Sequence, residues 1–325
     1  MKISIAMATY NGAQYLQEQL DSLKNQTKLP DELVVTDDCS TDSTEEIVLE
    51  FAKTAPFKVI FSRNSQNLGY CGNFNAALMK TSGDLVFLSD QDDVWFPEKI
   101  EYMVAVANKN PEMMIVMNDA AITDGDLNDT GLTKIGQIQA AGFGLSYFAM
   151  GCCCVVRREL LNICLPINKG YKAHDVWLLA FAKGLDARAI EQKVLQYYRR
   201  HGKNESQIPV NGTTRVSRLD SIAYAIRNIS DKNKGKKFIV SGEQKQLLLE
   251  GVQSAVKKAP NQWKSKLEAL ALALELEKEV ETHNKRAGIR NKNLPTRIVL
   301  ALNAYNRGDY KTGNKFKPML RDIAG

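Results

Sequence analysis

The segment Gly83-Asp84-Leu85-Val86-Phe87-Leu88-Ser89-Asp90-Gln91-Asp92-Asp93-Val94-Trp95-Phe96-Pro97 holds the densest chemistry of the 325-residue chain. Leu85 to Leu88 is a short apolar run of the length of a buried strand. It ends in three carboxylates within four residues, Asp90, Asp92 and Asp93, followed by a bulky apolar pair and Pro97. Neighbouring carboxylates repel and raise each other's pKa, so such a cluster is costly unless something positive sits there. A divalent cation is the natural partner, since hard oxygen ligands suit Mn²⁺ or Mg²⁺, which also take ligands from substrate phosphates. The competing reading is a solvated acidic turn that starts a helix near Pro97, where carboxylates favour the N-terminus.

Upstream, strands and helices alternate. Ile3 to Ala8 reads as a strand, and Gln14 to Lys24 places Tyr15, Leu16, Leu20 and Leu23 at helical spacing. Leu33 to Val35 is a second strand ending at Thr36-Asp37-Asp38, and Ser40 to Ser43 offers caps for a helix over Glu45 to Lys53. Lys58 to Phe61 is a third strand and Asn73 to Lys80 a third helix. Alternation of this kind predicts a parallel, doubly wound α/β sheet, in which ligands bind beyond the carboxyl ends of the strands. Polar clusters follow three of those strands: Thr9-Tyr10-Asn11, Asp37-Asp38 and Asp90-Gln91-Asp92. A base stacked on Tyr10, its imide bonded to Asp38 and a metal diphosphate at Asp92 would together describe a nucleotide pocket. The glycines of Asn67-Leu68-Gly69-Tyr70-Cys71-Gly72-Asn73 fit a loop that lets backbone approach a ligand ahead of a helix. Their spacing matches neither a P-loop nor a dinucleotide fingerprint.

Ala8-Thr9-Tyr10-Asn11, Val34 to Asp42, Asn67-Leu68-Gly69 and Ser89 to Pro97, in that order, resemble the inverting family 2 glycosyltransferases of the GT-A fold over residues 1–115. Asn67-Leu68-Gly69-Tyr70 and Asn73-Phe74-Asn75 are similar to bacterial rhamnosyltransferases of surface-polysaccharide synthesis. The resemblance implies that Thr9 and Tyr10 hold the base and that Asn11, Asn67, Gly69 and Asn73 line the nucleotide site. It implies that Asp38 takes the N3–H, that Asp90 lies near the ribose and the metal, and that Asp92 ligates Mn²⁺ or Mg²⁺. Asp93 either supports the site or ligates through water.

Residues 116–205 complete the domain on the acceptor side. Asp124 to Gly144, rich in Gly, Asp and Asn, reads as loop. Met150 to Arg158 reads as a strand entering a helix and resembles the family's acceptor-side strand. Asp175 stands before an apolar helical stripe and could simply start that helix. The resemblance makes it the general base, with His174 in place of the commoner Glu and of uncertain role. In Tyr197-Tyr198-Arg199-Arg200-His201-Gly202, Arg199 and His201 either touch donor phosphate or metal, as the family's similar segment does, or form a basic surface turn.

With 44% hydrophobic and 25% charged residues the composition is that of an ordinary globular protein. It contains no apolar run of the length of a membrane span, and the first residues run straight into a strand, so a cytoplasmic protein is predicted. None of the six cysteines has Cys-x-x-Cys spacing, which predicts reduced, apolar thiols with Cys152 to Cys154 alternating along a strand.

From residue 199 onward there are 26 Lys+Arg against 12 Asp+Glu, a balance of +14, while residues 1–198 carry −8. Residues 214–285 read as two or three amphipathic helices, the clearest with Leu267, Leu270, Leu274 and Leu276 on one stripe. Basic segments, 231–237 and 285–292, flank it. A catalytic domain over 1–205 and an all-α basic domain over 206–325 are therefore expected. The latter would serve membrane-surface association or a homodimer.

The expected reaction is metal-dependent, inverting transfer from dTDP-L-rhamnose, or else a UDP-hexose or UDP-HexNAc, to a growing or polyprenyl-diphosphate-linked glycan. A nucleotidyltransferase would need a Gly-rich, basic N-terminal loop that is missing. A nucleic-acid binder would need aromatic-basic interleaving, also missing.

Overall fold

The computed structural model describes residues 1–202, 204, 209–220, 242–290, 292–306, 319 and 322–324, with the side chains of 278–290 and 305–306 outside that description. The sheet is built from β1 (Ile3–Thr9), β2 (Glu32–Asp37), β3 (Lys58–Arg63), β4 (Leu85–Ser89), β5 (Val94–Trp95), β6 (Ile115–Thr123), β7 (Asp129–Thr133), β8 (Cys154–Arg157) and β9 (Arg188–Arg199). Its order is β3-β2-β1-β4-β8-β6-β9-β5, with β7 paired to β6. The first four strands are parallel, as expected. Beyond them β8 runs antiparallel to both β4 and β6, which makes the acceptor half mixed.

Helices α1 (Ala13–Lys24), α2 (Thr44–Thr54), α3 (Gly69–Lys80), α4 (Lys99–Lys109), α5 (Lys134–Ala140), α6 (Arg158–Cys164) and α7 (His174–Gly184) cover the sheet. Successive residues of one strand feed opposite layers. Ile5, Met7, Leu85 and Phe87 join Leu16, Leu20 and Met103 on one side. Ala6, Val86 and Leu88 join Phe74, Leu78 and Trp177 on the other. Both faces of the central strands are thus apolar, which is why they read as unbroken hydrophobic runs rather than alternating ones.

Three expectations about local structure need correction. Asp124 to Gly144 is not loop: it holds β7 and α5, the latter capped by Thr133 Oγ1 accepting from Gly136 N at 3.0 Å. Its polar residues make the β6–β7 turn, where Asp124 Oδ1 accepts from the Asp126 and Asn128 amides. Turn composition had hidden a hairpin. Likewise, α3 begins at Gly69, so much of the glycine segment is helix. Cys152 and Cys153 lie in a 3₁₀ turn (Gly151–Cys153), and only Cys154 begins a strand. All six thiols are unpaired, and burial, with Asp175 adding, pushes Cys71 up to about 12.

The described residues beyond them include the helices α8 (Gly242–Lys258), α9 (Asn261–Arg290) and α10 (Leu294–Asn306). Among the described residues, the buried side chains of α8 and α9 join the core of the sheet's helical layer. Leu248, Leu249, Val252, Leu267 and Leu274 belong to the same apolar cluster as Trp177, Leu178 and Phe181 of α7. Of the expected stripe, Leu267 and Leu274 are buried and Leu270 packs against the cluster, whereas Leu276 is 53% exposed. The boundary expected at 205/206, the segment 231–237 and the side chains of 285–290 lie outside the described residues. Among the described residues no helix is long and apolar enough to cross a membrane.

Candidate active site

The carboxyl ends of β1, β2 and β4 abut, with Thr9 opposite Asp37 and Met7 opposite Ser89. Thr9 is buried and ties two strand ends together: its Oγ1 donates to Asp37 Oδ1 at 3.1 Å, and its carbonyl accepts from Asp38 N and Asn73 Nδ2. Tyr10 leaves this rim with its ring half exposed, a platform for an aromatic base. The Gln91 side chain holds Tyr10 from the third strand. Its Oε1 accepts from Tyr10 N at 2.9 Å and its Nε2 donates to Tyr10 O at 3.1 Å. Asn11, at φ 47°, turns its Oδ1 to accept from Thr41 N at 2.8 Å.

Asp38 is buried, and its carboxylate is already occupied. Oδ1 accepts from Leu68 N and Asn64 Nδ2, and Oδ2 accepts from Gly69 N at 2.9 Å. Asn67 adds a bond to the Asp38 carbonyl. Asp38 thus clamps the loop before α3 through three donors, only one of them on Oδ2.

The acid cluster sorts into distinct parts. Asp92 Oδ2 lies 2.8 Å from His201 Nε2 and accepts from Asn204 Nδ2 at 3.1 Å. The His201 ring packs on Tyr15, 4.7 Å between centroids. Asp90 is half-buried. Desolvation first, then the charge of Asp92 and more weakly that of Asp175, push it up to about 7 against a hydrogen bond from Cys152 and the charge of Lys99. Asp93 is fully buried and accepts from Gln196 Nε2 at 2.8 Å, with burial and then the other two carboxylates raising its pKa. Asp90, Asp93 and Cys152 each bring a ligand atom within 4.8 Å of the others. Asp92 stands outside that group and faces the His201 imidazole instead.

Arg199 is turned into the protein. Its guanidinium is buried, donating to the Asp92 carbonyl at 2.9 Å and the Gly125 carbonyl at 2.8 Å, pairing with Glu18 and lying 4.6 Å from the Tyr15 ring centroid. It braces the backbone of the acid turn.

On the acceptor side Asp175 occupies the first turn of α7, half-buried, accepting from Val176 N at 2.8 Å. Its charge helps raise Asp90, Cys71 and the buried Tyr171, so it lies within electrostatic reach of all three. His174, beside it, turns inward and stacks on Phe74 at 3.9 Å, neither ring nitrogen having a partner. Burial lowers its pKa and favours the neutral ring.

Gln91, Asn64, Glu18, Lys99, Gln196 and Asn204 escaped the sequence reading. Of these only Asn204 carried a signal, three residues past His201 in the same polar segment.

The family model described as glycosyl transferase family 2 matches residues 4–164. An uncharacterized glycosyltransferase of Nostoc sp. (strain PCC 7120) is 31% identical over 236 residues, 66% of this chain and 69% of its own. The dTDP-rhamnosyl transferase RfbG of Shigella flexneri is 26% identical over 240 residues, 66% and 78%. Residues 1–349 of S. aureus TarS, solved in complex with UDP-GlcNAc, share the fold at a TM-score of 0.53 and 18% identity, over 96% of this chain and 93% of that one.

Proposed function

The chain belongs to the family 2 glycosyltransferases, with a GT-A-like fold, and from that premise we propose that it carries out an inverting, metal-dependent sugar transfer from a nucleoside-diphosphate sugar. The reading is supported by the acid turn that follows β4, where Asp92 pairs with His201 and Asp90 lies within electrostatic reach of Asp175. Bound there, Mn²⁺ or Mg²⁺ offsets charge on a leaving diphosphate.

In the proposed reaction the nucleotide lies against Tyr10 and the Asn67–Gly69 loop. Asp175 takes the proton of an acceptor hydroxyl as its oxygen bonds to the anomeric carbon. The bond from that carbon to the diphosphate breaks on the opposite side, inverting the configuration. The likeness to RfbG favours a dTDP-rhamnose donor, and the proposed acceptor is a surface or polyprenyl-diphosphate-linked glycan. The basic C-terminal region would then hold the enzyme at the inner face of the cytoplasmic membrane.

The test is a thermal-shift panel of dTDP- and UDP-sugars with and without Mn²⁺. A cognate donor raises the melting temperature only when Mn²⁺ is present. Asp92→Ala abolishes that shift. A metal-independent donor shift, or one that survives Asp92→Ala, overturns the metal assignment.

A further inference from the structure

Lys99, the first residue of α4, is fully buried. Its Nζ donates to the Cys152 carbonyl at 2.8 Å and to Gln196 Oε1, and lies 3.8 Å from the Trp95 ring centroid. Two carbonyl-type oxygens and a π face are partners that favour an ammonium. With Oε1 taken, the buried Gln196 amide must turn its Nε2 the other way, where it donates to Asp93 Oδ2 at 2.8 Å and to Cys152 Sγ at 3.3 Å. Were the amide reversed, an oxygen would meet the carboxylate and an NH₂ the ammonium, so the two ions fix its sense. Asp93 Oδ1 in turn accepts from Arg199 N, and Arg199 braces the Asp92 carbonyl.

Burial pushes Asp93 up and Lys99 down, so keeping both as ions costs several kcal/mol for each in desolvation. A helix start packed against Trp95 needs no charge for its own stability, and an apolar side chain of the same length would fill the space. What the charge adds is an orientation, passed along one amide to the turn that carries Asp90 and Asp92.

We propose that Lys99 is a positioning residue of the active site: through Gln196 it supplies the buried countercharge that holds Asp93, and with it the Asp90–Asp93 turn, in the shape that presents Asp90 and Asp92 to a cation-bound nucleoside diphosphate. This rests on the metal-dependent reading above. Plain core packing would instead let Met replace Lys99 without effect on the cation.

The experiment uses the full chain with Lys99→Met, Asp93→Asn and the double variant. Stability is read by urea unfolding. Mn²⁺ binding in the presence of dTDP or UDP is read by loss of the free-ion EPR signal. Lys99→Met weakens Mn²⁺ binding about 10- to 100-fold, as loss of an outer-shell partner does. The double variant is more stable than the sum of the two single losses allows, because it leaves no lone buried charge. Wild-type Mn²⁺ affinity in folded Lys99→Met, or strictly additive stability losses, overturns the proposal. If Lys99→Met does not fold, Gln196→Met cuts the same link and carries the same expectation, and unchanged affinity there overturns it too. A wild-type chain that binds Mn²⁺ with neither nucleotide overturns the metal-dependent reading, and this inference with it.

Discussion

Glu32 opens β2 at the end of the strand away from the site, buried with an ionised side chain. Desolvation pushes its pKa up. Hydrogen bonds from Ser4 Oγ at 2.6 Å and Ser82 N at 2.7 Å, with Lys2 at 2.9 Å, outweigh that and lower it from 4.5 to about 2. A folded-state pKa below the unfolded one stabilises fully above pH 4.5, and the gain is lost as pH falls toward 2. Glu32→Gln therefore lowers stability by about 1–3 kcal/mol at pH 7. That gap should close in urea titrations carried down toward pH 2. Asp175 stands at the other end of the molecule's chemistry. Asp175→Asn keeps the size of the side chain and removes its basicity. Turnover should fall on the order of 10²- to 10⁴-fold while the donor-induced thermal shift stays within a degree of wild type. Near-normal turnover would remove Asp175 from the base role.

At the scale of elements, the site is a matter of strand ends and the helices that follow them. The β1–α1 junction depends on Gly12, where a Cβ would lie 2.2 Å from Gln91 Oε1. Gly12→Ala must displace that side chain and so release both of its bonds to the Tyr10 backbone. Because Gln91 is long and its end can swing away, the fold should survive. Donor binding should weaken by roughly 1 kcal/mol, about fivefold, measured as KM for the nucleotide sugar. Elements of this half were legible because each is signalled locally: apolar runs for β1, β2 and β4, and 3.6-residue spacing for α1. The hairpin β6–β7 was not, since Asp124, Gly125, Asp126 and Asn128 read as turn and the short β7 is half exposed. Nor was the occupation of Asp38 and Arg199 legible. Both residue types suit a ligand, and the partners that claim them lie as many as 31 and 181 residues away.

In the whole molecule, the C-terminal helices complete the core that backs α7. Gly251 on α8 lies so close to Trp177 that a Cβ there would be 2.1 Å from the ring. The ring is fully buried and donates its Nε1–H to the Cys164 carbonyl at 2.8 Å, so it has little room to move. Gly251→Val should cost about 1–3 kcal/mol by overpacking. Trp177 sits two residues from Asp175, so the same variant should lower turnover as well as melting temperature. A loss of stability with full turnover would mean that α8 supports the fold without setting the base.

Sequence alone determined the alternating α/β plan, the polar clusters after β1, β2 and β4, and the presence of an acid cluster able to hold a cation. Each of these is written in local spacing, and strand ends gather at one rim whatever the side chains do. Only the tertiary structure decided which acids stay available. It buried Asp93 on Gln196, set Asp38 on its own loop, turned Arg199 inward and brought His201 to Asp92, because hydrogen-bond partners come from chain contacts that no local pattern encodes. The union of α8 and α9 with the catalytic core was decided there too, by helices packing closely where Gly251 leaves room for Trp177.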